Sequence, residues 1–496
     1  MDMQNAQVLK TYGSFAKLGT DVIINVAKFL RPCDIISLRK TCKLLQQVTR
    51  MRTIWINALR SIMARNAITE DTYPLQKMAL PILKHVALSP HRFASLVMKS
   101  NEVMPLPTSI RAISPRMTNW EKERYEIELP GPFIDFWMAP GGRYVVTLSM
   151  QHDWNESTLF TVWDVGLSGR DVIKPLTRFL EKAQGLRLVC FFADSQNLGF
   201  FYIVSTQNSP SFSVLVHKAS LSSPPKIDFL AKLEIPTSPG SNPPVRFVYL
   251  LPESCRILVR SLEQEKCSFR IWDFLNNAVA DVIMRDCPVE EKIEVFCCDN
   301  CFIVALKDRL IVCNIPTLVP YIAGKRLIEH EASIIISAPL KSADSFYIEP
   351  NPMSPLASNV PPYILRVNDK QVAFLEAKEA NPVHDPMLPN RLPVTRTIVN
   401  IANDTFRKAA MDGTVERCEE YFFLTNPVGS SMVTIMNAEC LSQNEGTGGL
   451  SLFTTTLDLY VTIDVEKQQL CPLLGRDCVL TGNGDVFIFD YLVSPE

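Results

Sequence analysis

No apolar stretch in these 496 residues is long enough to cross a bilayer as a helix, and the first ten residues, Met1 to Lys10, are polar and lack the apolar centre of a secretion signal. Basic charge is also in short supply. Fifty Lys and Arg against 52 Asp and Glu leave a net charge of -2, so there is no surplus to neutralise phosphates in bulk. The expectation is a soluble, intracellular protein of the cytoplasm, the nucleus or both, with no nucleic-acid and no membrane partner.

The signatures of catalysis are missing too. No glycine-rich loop ends in Gly-Lys-Ser/Thr, and Gly446-Thr-Gly-Gly449 lacks the lysine and reads as a flexible loop. No HExxH and no GxSxG occurs, and the six histidines, at 85, 91, 152, 217, 330 and 384, have no ligand spacing. Acid pairs such as Glu290-Glu291 and Glu419-Glu420 read as solvated faces, and Cys42 as a packed thiol on an apolar helical stripe. The expectation is a non-enzyme, with no catalytic residue, no metal and no cofactor.

Fourteen cysteines are present, yet they are spread along the chain, and Cys190, Cys255 and Cys313 sit in apolar, strand-like runs. They read as reduced core residues rather than a disulfide framework. The tightest group, Cys297-Cys298-Asp-Asn-Cys301, has no second pair to complete four zinc ligands.

What is present is a two-part pattern. At this length one ordinary core is not enough, and a small helical module followed by one large domain fits usual domain sizes. From Thr20 the helical signs accumulate: Thr20 as N-cap, Asp21 in the first turn, and Ile23, Val26, Ala27 and Leu30 at i, i+3, i+4 and i+7, a stripe expected to face a partner. Arg31-Pro32 ends that helix and opens a second, with Ile35, Leu38, Cys42 and Leu45 as its stripe, and Ile54 to Met63 supplies a third. Three short helices in about 45 residues bury little core alone, so such a unit borrows surface from a partner.

These residues resemble an F-box. Leu18, Asp21, Phe29-Leu30, Pro32, Asp34, Leu38-Arg39, Cys42 and Trp55 stand where the family has its pattern, with Gly19 in place of the usual proline. The resemblance implies binding to a Skp-type adaptor and through it to a cullin. Its implied adaptor-binding residues are Leu18, Gly19, Ile23, Ile24, Leu30, Pro32, Asp34, Ile35, Leu38, Arg39, Cys42 and Trp55.

Residues 14–60 are thus read as the F-box and 61–119 as a helical, proline-rich linker punctuated by Pro74, Pro81 and Pro90. From 120 to 496 the period becomes strand-like. Leu159-Phe-Thr-Val-Trp163-Asp164 resembles the ending of a WD repeat, and Ser268 to Asp273 and Val486 to Asp490 repeat it at spacings near two and then four multiples of a unit of roughly 54 residues. Weaker endings occur at Val214–His217, Leu310–Asn314, Ile364–Asn368 and Val433–Asn437. The fold class expected is therefore α+β multidomain: a three-helix F-box and helical linker, then an all-β, WD-repeat-like propeller of seven blades, with six or eight, or a β-sandwich or mixed domain, as alternatives. Tyr125–Leu129 is the strand expected to close the blade of Val486–Asp490.

Taken together the resemblance is to a fungal-type F-box substrate receptor: the recognition subunit of a Skp-cullin-F-box ubiquitin ligase, holding a protein target that the sequence does not name. Arg143, Arg246, Arg256, Arg260, Arg270 and Arg366 are available to read a phosphorylated peptide. The prolines of Asn351–Pro362 and Lys378–Pro393 mark partner-binding edges or disorder. The alternatives are a propeller scaffold unconnected with degradation, and an enzyme site in the channel of the propeller.

Overall fold

A computed structural model describes residues 18–99 and 105–123 apart from isolated positions, 130–182 apart from 152–156, the strands and some turns between 186 and 456, and 464–493. Five helices open it: α1 Thr20–Ala27, α2 Pro32–Arg39, α3 Lys43–Val48, α4 Arg52–Arg65 and α5 Leu80–Lys99. The segment read as three helices holds four. The stripe Ile35, Leu38, Cys42, Leu45 is interrupted because Thr41 turns back, its hydroxyl donating to the Leu38 carbonyl at 2.8 Å, and Cys42 is extended as the N-cap of α3. Cys42 is accordingly exposed, not packed on an apolar stripe. Gly19, not Thr20, is the extended residue before α1.

The helix α4 buries Ile54, Trp55, Ala58, Leu59, Ile62 and Met63, a 3.6-residue period that turns one side wholly inward. Arg52 donates to the carbonyls of Leu75 (2.7 Å), Gln76 (3.0 Å) and Met78, fixing the turn that leads into α5. Pro81 and Pro90 do not break α5. Pro81 stands in the first turn, where its missing N–H costs nothing, and Pro90 is buried within a helix that tertiary packing holds on both sides.

Among the described residues the strands form seven sheets, antiparallel except for one short parallel pairing. Six take their main strands in chain order, over 130–182, 186–236, 245–284, 294–339, 348–400 and 414–456. The third of these also accepts Val319–Pro320 and Glu329–Glu331 at its outer edge. The seventh combines Val465–Cys471, Arg476–Thr481 and Val486–Asp490 with Ser109–Ile113, which pairs Ser109 with Asp490 and Ile113 with Val486. The closing strand therefore comes from within the segment read as linker. Tyr125–Leu129, expected in that role, lies outside the described residues.

The first strands neighbour one another. Pro130–Met138 lies beside Leu186–Ala193 on one side and Val465–Cys471 on the other, while Val245–Leu251 lies beside Leu186–Ala193 and Glu294–Cys298. Glu294–Cys298 in turn adjoins Ile348–Pro350, and Thr414–Cys418 adjoins Val465–Cys471.

The WD-like endings fall on third strands: Trp163-Asp164 ends Ser157–Asp164 and Trp272-Asp273 ends Lys266–Asp273. The ending at Ile364–Asn368 is an exception, since Tyr363–Asn368 is the second strand of its sheet. An alternating apolar run reads alike on either strand, and only pairing tells them apart.

The helices and the seventh sheet share one apolar core. Ile35, Trp55, Leu59, Val86 and Phe93 belong to the same buried cluster as Leu480, Ile488, Phe489 and Leu492. Phe93 of α5 stacks on Phe423 at 5.5 Å and meets Tyr491 at 6.2 Å between ring centroids. Gly475 (φ +59°) makes this approach possible, since a Cβ there would stand 2.8 Å from Leu492 and 3.0 Å from Phe93. Polar bonds tie the helical end to the first sheet as well: Tyr73 donates to the Gly141 carbonyl at 2.6 Å and Arg143 to the Thr72 carbonyl at 3.1 Å. Behind them Arg476, fully buried, reaches Asp490 at 2.7 Å and the carbonyls of Gly142 and Gly166, and Arg111 holds the other Asp490 oxygen at 2.7 Å.

Candidate docking surface

The helix α1, TDVIINVA, has a polar side at Asp21 and Asn25 and an apolar arc, Val22, Ile23, Ile24, Val26 and Ala27, wider than one contact face. A helix of this kind needs cover on both sides. Its inner side is covered by the chain, with Ile23 and Ala27 buried in the shared core. Its outer side is not: Leu18 (36% exposed), Val22 (43%), Val26 (43%) and, just beyond the helix, Phe29 (89%) make an exposed apolar row at i, i+4, i+8 and i+11. The stripe read from the sequence as partner-facing is thus divided. Ile23 and Ala27 face the core, Val26 faces out, and Leu30 lies half-buried against the core.

The other expected adaptor-binding residues divide likewise. Pro32, Ile35 and Trp55 are buried within the chain. The Trp55 indole N–H donates to the Thr49 carbonyl at 2.8 Å. Ile24, Asp34, Leu38 and Arg39 are half-buried, and Leu18, Gly19 and Cys42 exposed. Asp34 accepts a hydrogen bond from the Arg31 side-chain Nε at 2.9 Å, and that bond holds its carboxyl below the usual range. Arg39 lays its guanidinium 5.6 Å over the Trp55 ring and donates to Thr49 through Nη2 (2.8 Å to the carbonyl) and Nε (3.3 Å to the hydroxyl). Val22 and Phe29 were absent from the expected site. A second stripe at spacing four, starting at Leu18, was the available signal.

In the β region three of the six arginines offered for a peptide have structural employment. Arg143 pairs with Asp164 at 2.8 Å, Arg270 with Asp281 at 2.6 Å, and Arg260 is buried. Arg256 is half-buried, and the side chains of Arg246 and Arg366 lie outside those described. His217 is buried among Phe179, Phe229 and Phe160, and desolvation pushes its pKa down to about 4. Cys301 is buried with its thiol 3.2 Å from the Asn314 side chain. The side chains of Cys297 and Cys298 are not among those described. Among the described residues no three His, Cys, Asp or Glu gather as metal ligands, and no helix is long and apolar enough to cross a membrane. Asn351–Pro362 and most of Lys378–Pro393 lie outside the described residues.

Comparison with known proteins fits this geometry at one end. Residues 15–57 match the family model of the F-box domain, so the chain carries an F-box there. F-box domains typically bind Skp1 adaptors of cullin-based complexes, and the domain implies a role in a Skp-cullin-F-box ubiquitin ligase. No curated protein matches the chain. Similar solved structures include a functionally unknown protein from Desulfotomaculum acetoxidans (10% identity, 67% of this chain and 92% of that one, TM-score 0.37) and the Pan2 WD40 domain of Neurospora crassa (11%, 79% and 95%, TM-score 0.37). A chain of the mitotic checkpoint complex is a third (9%, 78% and 94%, TM-score 0.34). The fold assignment rests instead on the strand order and pairing described above.

Proposed function

We propose that this chain is the substrate-recognition subunit of a Skp-cullin-F-box ubiquitin ligase, docking on a Skp-type adaptor through the outer face of α1. The observation that carries this is the exposed row Leu18, Val22, Val26 and Phe29 within the F-box match, apolar surface left open among the described residues. Half-buried Ile24, Leu30, Leu38 and Arg39 flank the row, while Ile23, Pro32, Ile35 and Trp55 hold the helices in shape behind it.

The seven sheets, each beginning on a strand that adjoins the first strand of a neighbour, are read as a seven-bladed propeller. In such a ring residues 109–113 close the last blade. The propeller presents a protein target, and the subunit performs no bond-making itself. Its contribution is proximity: a target lysine held near an activated ubiquitin reacts as if within one molecule. The common core of helices and seventh sheet supports this reading, because a stiff joint fixes the distance between docking face and target.

The test is co-expression with a Skp-type adaptor and size-exclusion chromatography of the wild type beside Val22→Asp/Val26→Asp, which charges the outer face without entering the core. Co-elution of the wild type and its loss in the folded variant are expected. A folded wild type that elutes alone sinks the proposal.

A further inference from the structure

The small net charge of the chain conceals a division. Residues 1–100 carry 15 Lys and Arg against five Asp and Glu, and the rest of the chain 35 against 47. The helical end is therefore +10 and the remainder -12. Between Ile35 and Thr69 there is no acidic residue at all.

Three of these cations converge. Arg39 ends α2, Arg50 stands in the turn between α3 and α4, and Lys84 lies in the second turn of α5. Arg39 and Lys84 lie over the same indole, 5.6 and 6.0 Å from the Trp55 ring centroid. Like charges so close repel. Burial and the charge of Arg50 lower the pKa of Arg39, and burial followed by Arg39 and Arg50 lowers that of Lys84, with no carboxylate among the causes. None of the three has an acidic partner among the described residues. Arg39 is held by its two bonds to Thr49, and its Nη1 has no protein acceptor among the described residues. Trp55 and Thr49, both buried, fix the floor on which the cations stand.

We propose that Arg39, Arg50 and Lys84 form an anion-binding ledge that takes a carboxylate-rich segment of the adaptor, extending the docking surface past the F-box match to α5. This rests on the function proposed above, and it adds a polar anchor to an interface otherwise apolar. Charge complementarity selects the occupant. Two cations over one indole with a third beside them fit one or two carboxylates, whereas a long polyanion such as nucleic acid would have to run on over a molecule whose remaining 396 residues are net negative. Screening over about 8 Å at physiological salt confines the attraction to the ledge itself.

The experiment is titration of the full chain with a Skp-type adaptor at about 50 and about 500 mM salt, comparing wild type, Arg50→Glu/Lys84→Glu and Lys84→Arg, with thermal melts to confirm folding. The double reversal is expected to weaken binding about ten-fold or more at low salt, with the difference shrinking at high salt, while Lys84→Arg stays within about two-fold of the wild type. A folded double variant within about two-fold of the wild type at both salts overturns the ledge. Should the wild type itself not bind the adaptor, the proposed function falls, and a labelled hexaglutamate peptide decides the ledge alone. Binding to the wild type but not to the double reversal retains a carboxylate site there. No binding, equal binding to both, or tighter binding of a DNA duplex or anionic lipid vesicles rejects it.

Discussion

The third and seventh sheets each contain four antiparallel strands, to which the third adds two short edge pairings, but they are packed differently. The third buries Leu258, Phe269 and Val282 against the fourth, and Ile257, Val259 and Trp272 against the second, so its core is entirely β. The seventh buries Leu480, Ile488 and Phe489 in the cluster that also holds α4 and α5. Their ion pairs differ in the same sense: Arg270–Asp281 keeps 19% and 15% of its side chains exposed, and Arg476–Asp490 keeps 0% and 5%. A perturbation of the third sheet is thus a matter for β packing, whereas one in the seventh is felt by the N-terminal helices. The joint between the helices and the seventh sheet is a core and not a tether.

The largest effect should come from Asp490→Ala, which leaves the buried Arg476 and the half-buried Arg111 without their carboxylate and is expected to cost about 3–5 kcal/mol. Asp281→Ala in the third sheet should cost less, about 1–3 kcal/mol, because its bidentate partner Arg270 keeps 19% of its side chain exposed where Arg476 keeps none. Denaturant melts of the two variants measure the difference, and equal losses would remove the distinction between the sheets. Next comes Gly475→Ala, expected to cost about 1–3 kcal/mol from its positive φ and the close approach of Phe93 and Leu492. Limited proteolysis should then find α5 more accessible, which a change confined to the β region would not produce.

Acidity sharpens the comparison. Asp477 in the seventh sheet is buried beside Gln468, whose amide donates to it at 2.6 Å, and desolvation raises its pKa to about 8. The folded state then holds a proton that the unfolded chain releases from about pH 4 upward. Stability should fall as pH rises from about 4 to about 8 and then level off, and Asp477→Asn should remove that slope. His217 in the second sheet works in the opposite direction. Its folded pKa of about 4 lies below 6.5, so stability should fall as pH drops from about 6.5 towards 4, and His217→Gln should abolish that loss. Melts from pH 4 to 9 of both variants separate the two contributions. The smallest effect is expected of Tyr73→Phe, which removes one bond to Gly141 between the helical end and the first sheet and should cost about 1 kcal/mol.

Much of this was legible beforehand where the information is local. The helix from Thr20, the stop at Pro32 and the endings at Trp163-Asp164 and Trp272-Asp273 follow from capping, periodicity and alternation within a few residues. Errors arose where two local answers are equally good. The helix α1 has apolar residues on both sides, so periodicity could nominate Ile23 and Ala27 for the partner when they belong to the core. Thr41 and Cys42 do not spoil an apolar spacing, yet they divide α2 from α3.

The sequence by itself determined that the chain has a small helical module with F-box character followed by many short antiparallel strands, because helix caps and the two periodicities are written in neighbouring residues. Tertiary structure decided which face of α1 remains exposed, that Ser109–Ile113 completes the seventh sheet, and that helices and sheet share a core. Thr108 bonds to Asp490 across 382 residues. Pairings at that distance depend on which edges and faces are left uncovered once all other elements have packed, and no local pattern records it.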